Sequence, residues 1–369
     1  MMKKIKVLVV DDSALMRKYI KRILEEDPRL EVVDAARDGE EAVEKNLALE
    51  PDVITLDLNM PKMDGLTALQ YIMHTRPCPV VVVSSLTQRG ALTTFEALEL
   101  GAVDCIAKPE GTVSLGIEQI GEEIRRKVRA AARANIKNCL PETKKRRDSG
   151  VRAAARFPTI SAADTAFEKI VVIGVSTGGP KTLSEILPRL PGDLSAPVVV
   201  VQHMPEKFTF HFASRLNEVC ALRVKEAEDG EPLAKGVVLV ARGGCHLKFE
   251  KKLGQKGLRV CLSEEPRDAL YIPSVGVTLR SLRQFVSDDQ IIGVMLTGMG
   301  DDGVEEMLEI KRGGGYTIAE SEETAIVWGM PRELARRGGA DVLAPAYEIP
   351  ELIVDAVEGR SLGRTQPSD

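Results

Sequence analysis

A glycine-rich turn in the second half of the chain carries a serine in a setting suited to nucleophilic chemistry. The segment IVVIGVSTGGP, residues 170–180, is an apolar run that leads into the sequence GVSTG. It fits the G-x-S-x-G pattern, in which glycines allow a sharp strand-to-helix turn that exposes the serine hydroxyl. Ser176 is therefore a candidate nucleophile, although such a turn can also be a plain connection or a phosphate-binding loop.

A serine hydrolase also needs a general base and an acid that orients it. Among the four histidines, His203 directly follows an apolar run, Val198–Gln202, so we expect it at the end of a strand. The segment LTGMGDDG, residues 296–303, supplies two acids, Asp301 and Asp302. The spacing does not choose between them, and either could instead cap the helix that follows.

The first third of the chain contains a second set of reactive side chains. Asp11 and Asp12 follow one apolar run, Asp57 follows another, and Ser84 and Lys108 follow two more. Because the carboxyl ends of parallel strands meet at one edge of a sheet, we expect these groups close together. Three carboxylates there would repel one another without a cation such as Mg²⁺, and an aspartate beside Mg²⁺ and a lysine could accept a phosphoryl group. Taken singly, Asp11 or Asp12 could simply cap the next helix.

Both sets need parallel strands to position them, and the hydrophobic pattern predicts such strands. Short Val- and Ile-rich runs alternate with segments of helical spacing, which indicates an α/β fold with two doubly wound parallel-sheet domains. We place the domains at residues 3–128 and 168–358, joined by a flexible linker, residues 129–167, rich in Ala, Arg, Lys and Ser. The predicted strands are Ile5–Val10, Glu31–Ala36, Val53–Leu56, Val80–Val83 and Val103–Ala107 in the first domain, and Ile170–Val175, Val198–Gln202, Val237–Ala241, Ile291–Leu296, Tyr316–Ala319 and Asp341–Leu343 in the second.

The composition excludes several classes of protein. A formal net charge of -5 over 369 residues argues against general nucleic-acid binding, which requires concentrated Lys and Arg. The six cysteines are dispersed with no C-x-x-C pair, so we expect neither a zinc site nor a redox dithiol. The N-terminal apolar run is too short for a signal peptide, and no later run reaches membrane-spanning length. We therefore expect a cytoplasmic protein that is not inserted in a membrane.

The motifs VLVVDDS, DLNMPKMDG and the later KP resemble the receiver domain of two-component response regulators. The resemblance implies a flavodoxin-like fold, with Asp57 as the phosphoacceptor and with Ser84 and Lys108 in contact with the phosphoryl group. The Mg²⁺ ligands that it implies are the side chains of Asp11, Asp12 and Asp57 and the backbone carbonyl of Asn59.

The motifs GVSTGGP, VVQHMP, MLTGMGDDG and the later GMP are similar to the catalytic domain of the chemotaxis protein-glutamate methylesterase family, whose members join that domain to a receiver. The resemblance implies that Ser176, His203 and Asp302 form a triad and that backbone donors at Thr177 and Met299 stabilise the oxyanion. The implied activity is hydrolysis of glutamyl methyl esters on chemoreceptors, with release of methanol, and in many members deamidation of receptor glutamines. The implied partners are methyl-accepting chemoreceptors as substrate and a chemotaxis histidine kinase as phosphodonor. Mg²⁺ is the only cofactor implied, in the receiver, and a monomer is expected.

Several positions depart from these family patterns. Cys105 stands where receivers usually have an aromatic residue that changes rotamer on activation, and the segment from Tyr271 to Gly276, YIPSVG, lacks a basic residue and an acid of the usual HRPSVD. Arg242 replaces a common Pro, and Glu320-Ser321-Glu322 replaces a usual QDE. These changes keep open a second interpretation, a non-catalytic signalling adaptor. A transcriptional regulator has little support, since no helix-turn-helix pattern follows the linker.

A receiver and an esterase in one chain together predict a phosphorylation-gated enzyme. We expect the unphosphorylated receiver to cover the Ser176 face, and phosphorylation of Asp57 to open it, because a switch requires contacts that differ between its two states.

Overall fold

The computed structural model describes residues 3–84, 88–108, 117–140, 164–252 and 257–360. The chain divides into two compact units, Met1–Thr143 and Lys144–Asp369, and each contains a parallel sheet with helices, so the predicted fold class is confirmed. Most of the expected linker lies outside the described residues, and its bounds stay a prediction. Among the helices in the described ranges, none combines the length and the apolar character needed to cross a membrane.

The first unit is a five-stranded parallel sheet with the strand order β2-β1-β3-β4-β5, the order of flavodoxin-like folds. Its elements in chain order are β1 (Ile5–Val10), α1 (Ala14–Glu25), β2 (Leu30–Ala36), α2 (Gly39–Leu49), β3 (Val53–Asp57), α3 (Gly65–Thr75), β4 (Val80–Ser84), α4 (Gln88–Glu99), β5 (Asp104–Ala107), α5 (Ile117–Ala131) and α6 (Ile136–Cys139).

Local sequence explains these elements. The strands β3 and β4 read VITLD and VVVVS and are buried at every residue, as expected for central strands covered by helices on both faces. The side chains of Ser13, Asp38 and Asp64 each accept a backbone N–H from the first turn of α1, α2 and α3, respectively. Each of these helices therefore begins directly after a polar residue of the loop that follows its strand.

The second unit is a seven-stranded parallel sheet with the order β14-β13-β12-β6-β7-β9-β8 and a separate antiparallel pair, β10-β11. Its elements are β6 (Ile170–Val175), α7 (Gly179–Ile186), β7 (Val198–Gln202), α8 (Glu206–Val219), β8 (Arg223–Glu226), β9 (Val237–Val240), β10 (His246–Glu250), β11 (Arg259–Ser263), α9 (Val275–Leu282), β12 (Ile291–Met295), α10 (Val304–Arg312), β13 (Tyr316–Glu320), α11 (Met330–Arg336), β14 (Val342–Ala344) and α12 (Ile349–Glu358).

The strand order puts β6 at the centre of this sheet. From β6 the chain builds outward through β7 to one edge, and it later returns to β12, on the other side of β6, to build the opposite edge. Such a reversal leaves a crevice at the carboxyl ends of the strands, where α/β proteins bind their ligands. The residues that follow β6, β7 and β12 therefore lie at the favoured place for a site.

Some elements escape prediction from the sequence pattern. The strands β8, β10 and β11 carry charged residues among their apolar ones and read RVKE, HLKFE and RVCLS, so they lack the continuous apolar run of the central strands. Helix α12 was not expected either. None of these four elements carries a candidate site residue.

Candidate functional site

Backbone hydrogen bonds join the three loops that carry the candidate triad. The Ser176 N–H donates to the Thr297 carbonyl oxygen at 3.0 Å, and the His203 N–H donates to the Val175 carbonyl oxygen at 3.1 Å. The loops after β6, β7 and β12 are thus hydrogen-bonded to one another just beyond the strand ends. The three segments that the sequence selected meet at the crevice of the second sheet.

His203 and Asp302 are in direct contact in this site. Nε2 of His203 lies 2.9 Å from Oδ2 of Asp302. Because an ionised carboxylate only accepts hydrogen bonds, Nε2 carries the proton and Nδ1 carries the lone pair. Nδ1 is buried without a hydrogen-bond partner, and no hydrogen bond joins it to Ser176 in the described residues. The imidazole is therefore held in the tautomer of a general base, with Nδ1 rather than Nε2 as the accepting atom.

The start of helix α9 fixes the Asp302 carboxylate. Oδ1 accepts from Ser274 Oγ at 2.7 Å and from the Gly276 N–H at 3.1 Å, and Oδ2 accepts from the Val275 N–H at 2.7 Å. Burial alone would raise the pKa of Asp302, but the hydrogen bonds from His203, Ser274 and the helix start lower it below the ordinary value. Asp302 consequently stays ionised and can orient and stabilise the imidazolium.

Asp301 points away from this arrangement. Its side chain is 62% exposed, and it accepts a hydrogen bond from Arg337 at 3.1 Å. Of the two acids, Asp302 is the one that contacts the imidazole, and a helix start that is distant in sequence provides donors for its carboxylate.

The expected oxyanion donors flank the serine. Thr177 follows Ser176 at the turn into α7, and Gly178 there has a φ of +85°, in the left-handed region that favours glycine. Met299 lies in the loop after β12, and its N–H donates no hydrogen bond within the described residues. Gly298 packs directly on the serine, since a Cβ added there would lie 2.8 Å from Ser176 Cβ and 2.5 Å from Met330 Sδ.

The late GMP motif holds the loop that carries Met299. The backbone N–H groups of Gly329 and Met330 donate to the Gly298 carbonyl oxygen at 3.1 and 2.8 Å. The motif therefore acts through the backbone, and its residues support the site without offering a reactive side chain.

Gln202 is a site residue that sequence reasoning missed. Its Nε2 donates to the carbonyl oxygens of Ser176, at 2.9 Å, and His203, at 3.2 Å, so one amide holds the backbone of both residues. Its Oε1 lies against Gly179, where an added Cβ would approach it to 2.0 Å. A glutamine at the end of an otherwise apolar strand, directly before the histidine, was the available signal.

Tyr271 is a second residue whose role was missed. Its ring stacks on the imidazole of His203, and its hydroxyl donates to the Met299 carbonyl oxygen at 3.3 Å. From the sequence it was only a departure from the family pattern, because nothing local indicates that it packs on a histidine far away in the chain.

The first unit brings its candidate residues together at the carboxyl ends of β1, β3 and β5. Lys108 Nζ lies 2.8 Å from Asp11 Oδ2 and 2.9 Å from Asp57 Oδ2. One oxygen each of Asp11, Asp12 and Asp57 fall within 4.8 Å of one another. Burial raises the pKa of Asp57, and the contacts with Lys108 offset this only in part.

These residues fit a hard divalent cation. Oδ1 of Asp57 is buried with no hydrogen-bond partner, and the three carboxylates provide the oxygen ligands that Mg²⁺ prefers. Asn59 is exposed two residues after Asp57, where its backbone carbonyl is expected to serve as a further ligand.

The remaining residues of this site lie at neighbouring strand ends. Ser84 is buried and its Oγ donates to the Gly90 carbonyl oxygen at 3.4 Å, in the first turn of α4. The Lys108 N–H donates to the Ser84 carbonyl oxygen at 2.7 Å, which ties the ends of β4 and β5 together. Cys105 is buried, and burial raises the pKa of its thiol to about 12, so it packs as a small neutral side chain.

Comparisons with known proteins match both units. The family model described as CheB methylesterase matches residues 171–353, and the one described as response regulator receiver domain matches residues 7–116. A Carboxydothermus hydrogenoformans protein named protein-glutamate methylesterase/protein-glutamine glutaminase 2 is 60% identical over 356 residues, 96% of this chain and 100% of its own length. A Caldanaerobacter subterraneus subsp. tengcongensis protein named protein-glutamate methylesterase/protein-glutamine glutaminase is 56% identical over 363 residues, 97% of this chain and 98% of its own. The solved catalytic domain of Thermotoga maritima CheB methylesterase is 43% identical and covers 52% of this chain and 100% of its own, with a TM-score of 0.49.

Proposed function

The chain belongs to the CheB methylesterase family, and from this premise we propose that it hydrolyses glutamyl methyl esters of chemoreceptors under the control of its receiver domain. The products are a glutamate carboxylate and methanol. Deamidation of receptor glutamines is part of the proposal, since both relatives carry glutaminase in their names. The observation that carries it is the His203–Asp302 pair at the strand ends beside Ser176.

In the first half of the reaction, Ser176 Oγ attacks the ester carbonyl carbon while its proton passes to Nδ1 of His203. The backbone N–H groups of Thr177 and Met299 stabilise the negative oxygen of the tetrahedral intermediate, at about 3 kcal/mol per donor. The C–O bond to the methoxy group then breaks, and the proton on Nδ1 leaves with methanol. Asp302 stabilises the imidazolium throughout.

In the second half, a water molecule attacks the acyl-enzyme. Nδ1 of His203 takes a proton from the water and returns it to Ser176 Oγ as the acyl bond breaks, which releases the glutamate side chain. With a glutamine substrate the leaving group of the first half is ammonia, and the second half is identical. No cofactor enters these steps.

Control is proposed to begin at Asp57. A carboxylate oxygen of Asp57 forms a bond to phosphorus as the bond to the histidine of a chemotaxis histidine kinase breaks. Asp11, Asp12, Asp57 and the Asn59 carbonyl would hold Mg²⁺, which neutralises the charge of the phosphoryl oxygens. Lys108 donates its N–H groups to one phosphoryl oxygen and Ser84 its hydroxyl to another. With these partners the protein would act in the cytoplasm, and a monomer remains the expected state.

The test is methanol release from methylated chemoreceptor membranes. Wild-type protein should release methanol, a small phosphodonor with Mg²⁺ should increase the rate, and Ser176→Ala should be inactive. Asp57→Ala should keep the basal rate and lose the stimulation. Equal release by wild type and Ser176→Ala would refute the esterase mechanism and favour the adaptor interpretation.

A further inference from the structure

A buried carboxylate that the proposed mechanism does not use lies at the end of β13. Glu320 has no exposed surface. Its Oε2 accepts the backbone N–H of Thr297 at 2.8 Å, and its Oε1 accepts from Thr324 Oγ1 at 3.0 Å. In the described part of the chain it forms no ion pair. A carboxylate buried without a cation is costly, so its contacts merit a functional explanation.

Thr297, the residue that Glu320 holds, connects the parts of the esterase site. Its carbonyl oxygen accepts the Ser176 N–H, and its Oγ1 donates to the Thr177 carbonyl oxygen at 2.9 Å. Along the chain it precedes Gly298 and Met299. A displacement of Thr297 would therefore move the nucleophile and both oxyanion donors together.

We propose that Glu320 is a positioning residue for the oxyanion side of the site, and that its negative charge opposes the reaction at alkaline pH. This inference rests on the proposed function. The hydrogen bond to Thr297 holds the loop, and it brings the charge to the segment that leads into Met299, whose N–H is to stabilise a developing oxyanion. An anion in that place raises the energy of a second anion nearby, and the buried setting screens it poorly.

The surroundings of Glu320 favour titration of its carboxyl group near neutral pH. Burial raises the pKa of Glu320 to about 7, although the hydrogen bonds from Thr297 and Thr324 act in the opposite direction. Glu185 on α7 is the other charge that acts on it, and it also raises the pKa. On or near the elements that pack on β13, Lys311 is paired with Asp341, Glu333 with Arg336, and Asp355 with Arg360.

Protonation of Glu320 preserves its hydrogen bond with the Thr297 N–H, which anchors the loop. The neutral carboxyl can still accept from Thr297 through Oε2 while its O–H turns toward Thr324 Oγ1. The isosteric substitution Glu320→Gln reproduces this arrangement, with the amide oxygen on Thr297 and the amide N–H on Thr324, at every pH. Glu320→Gln thus removes the charge and keeps the hydrogen bond to Thr297, whereas Glu320→Ala removes both.

The experiment measures kcat and KM for methanol release by the full-length protein, activated by a small phosphodonor with Mg²⁺, from pH 6 to 8.5. The ratio of Glu320→Gln to wild-type kcat should rise about fivefold across this range. Glu320→Ala should lose about tenfold or more in kcat at every pH with KM little changed, and the exposed Glu322→Gln is the matched control. A ratio of Glu320→Gln to wild-type kcat that does not change with pH would refute the role of the charge. If a folded Glu320→Ala protein has the kcat of wild type, the positioning role of the Glu320–Thr297 hydrogen bond is refuted.

A second readout is independent of the ester substrate. A fluorophosphonate probe labels an activated serine as the Ser176 Oγ–P bond forms and fluoride leaves, and the negative phosphoryl oxygen uses the same donors. The labelling rates should show the same pH-dependent ratio. Wild-type protein that is labelled in this pattern but releases no methanol would refute the proposed substrate and leave the role of Glu320 in place.

Discussion

Tyr271 lies flat against the imidazole of His203, with the ring centroids 4.1 Å apart and the planes inclined by 12°. The same tyrosine is tied through its hydroxyl to the carbonyl oxygen of Met299. One side chain thus contacts both the proposed general base and the peptide next to a proposed oxyanion donor. Gly300 makes this possible, because a Cβ there would come within 2.5 Å of the tyrosine hydroxyl.

Replacing Tyr271 should therefore reduce turnover more than substrate binding. We expect Tyr271→Leu to lower kcat by about 10- to 100-fold with a small change in KM, because the imidazole loses its stacking surface. Tyr271→Phe keeps the ring and loses only the hydroxyl contact, so it should fall between Leu and wild type. Steady-state methanol release checks this order, and equal rates for the Leu and Phe variants would contradict it.

The two neighbouring acids should behave very differently. Asp302→Asn should lower kcat by about 10³- to 10⁴-fold, because an amide no longer selects the tautomer with a lone pair on Nδ1. Asp301→Asn removes only an exposed contact with Arg337 and is the matched control, with activity near that of wild type. Similar losses in both variants, measured on folded proteins, would show that the acid has been assigned wrongly.

The Gln202 amide should be essential for alignment. In Gln202→Glu a carboxylate would face the two carbonyl oxygens that now accept from Nε2, so repulsion replaces two hydrogen bonds. We expect kcat to fall by about 100-fold, while Gln284→Glu, an exposed glutamine on the same unit, should have little effect. Methanol release and circular dichroism together separate misalignment from unfolding. Full activity in Gln202→Glu would contradict the inferred role.

The raised pKa of Glu320 predicts how stability depends on pH. A carboxyl with a folded-state pKa of about 7 and an ordinary value of 4.5 binds more protons in the folded state than in the unfolded state between these limits. Its contribution to stability is complete below the unfolded pKa and decreases as the pH rises through the folded pKa, by up to about 3 kcal/mol. Glu320→Gln should remove this dependence.

Urea unfolding at pH 5 and pH 8 provides the measurement. Trp328 is the only tryptophan of the chain and donates its indole N–H to the Glu320 carbonyl oxygen, so its fluorescence reports on the second unit. The gain in unfolding free energy of Glu320→Gln over wild type should be larger at pH 8. An identical difference at both pH values would mean that Glu320 does not titrate in this range.

Gly65 should be necessary for phosphorylation of the receiver. A Cβ at this position would lie 2.2 Å from the carbonyl oxygen of Asp57, so Gly65→Ala must displace Asp57, the proposed phosphoacceptor, or the start of α3. We expect phosphorylation by a small phosphodonor to slow by at least about tenfold. Gly121→Ala in α5, where the nearest atom is 3.5 Å away, is the control and should be phosphorylated normally. Normal labelling of Gly65→Ala would contradict this explanation.

The sequence was sufficient for features that depend on short segments. The central strands are continuous apolar runs, and Ser176 and His203 lie at neighbouring strand ends because parallel strands share one edge, while their chemical roles stay predictions. Asp302 could not be distinguished from Asp301, since the difference lies in donors from Ser274 to Gly276. The contacts of Tyr271, Gln202 and Glu320 could not be predicted from the sequence, because they join segments that are distant in the chain or depend on the direction of one side chain.

The crowding around Gly298 limits how this enzyme could be redesigned. With Ser176 Cβ on one side and Met330 Sδ on the other, no larger residue fits behind the nucleophile. Libraries that aim at bulkier esters should therefore leave Gly298 unchanged. The position behind the serine thus has no room for a larger side chain, and new substrate ranges have to come from changes elsewhere in the unit.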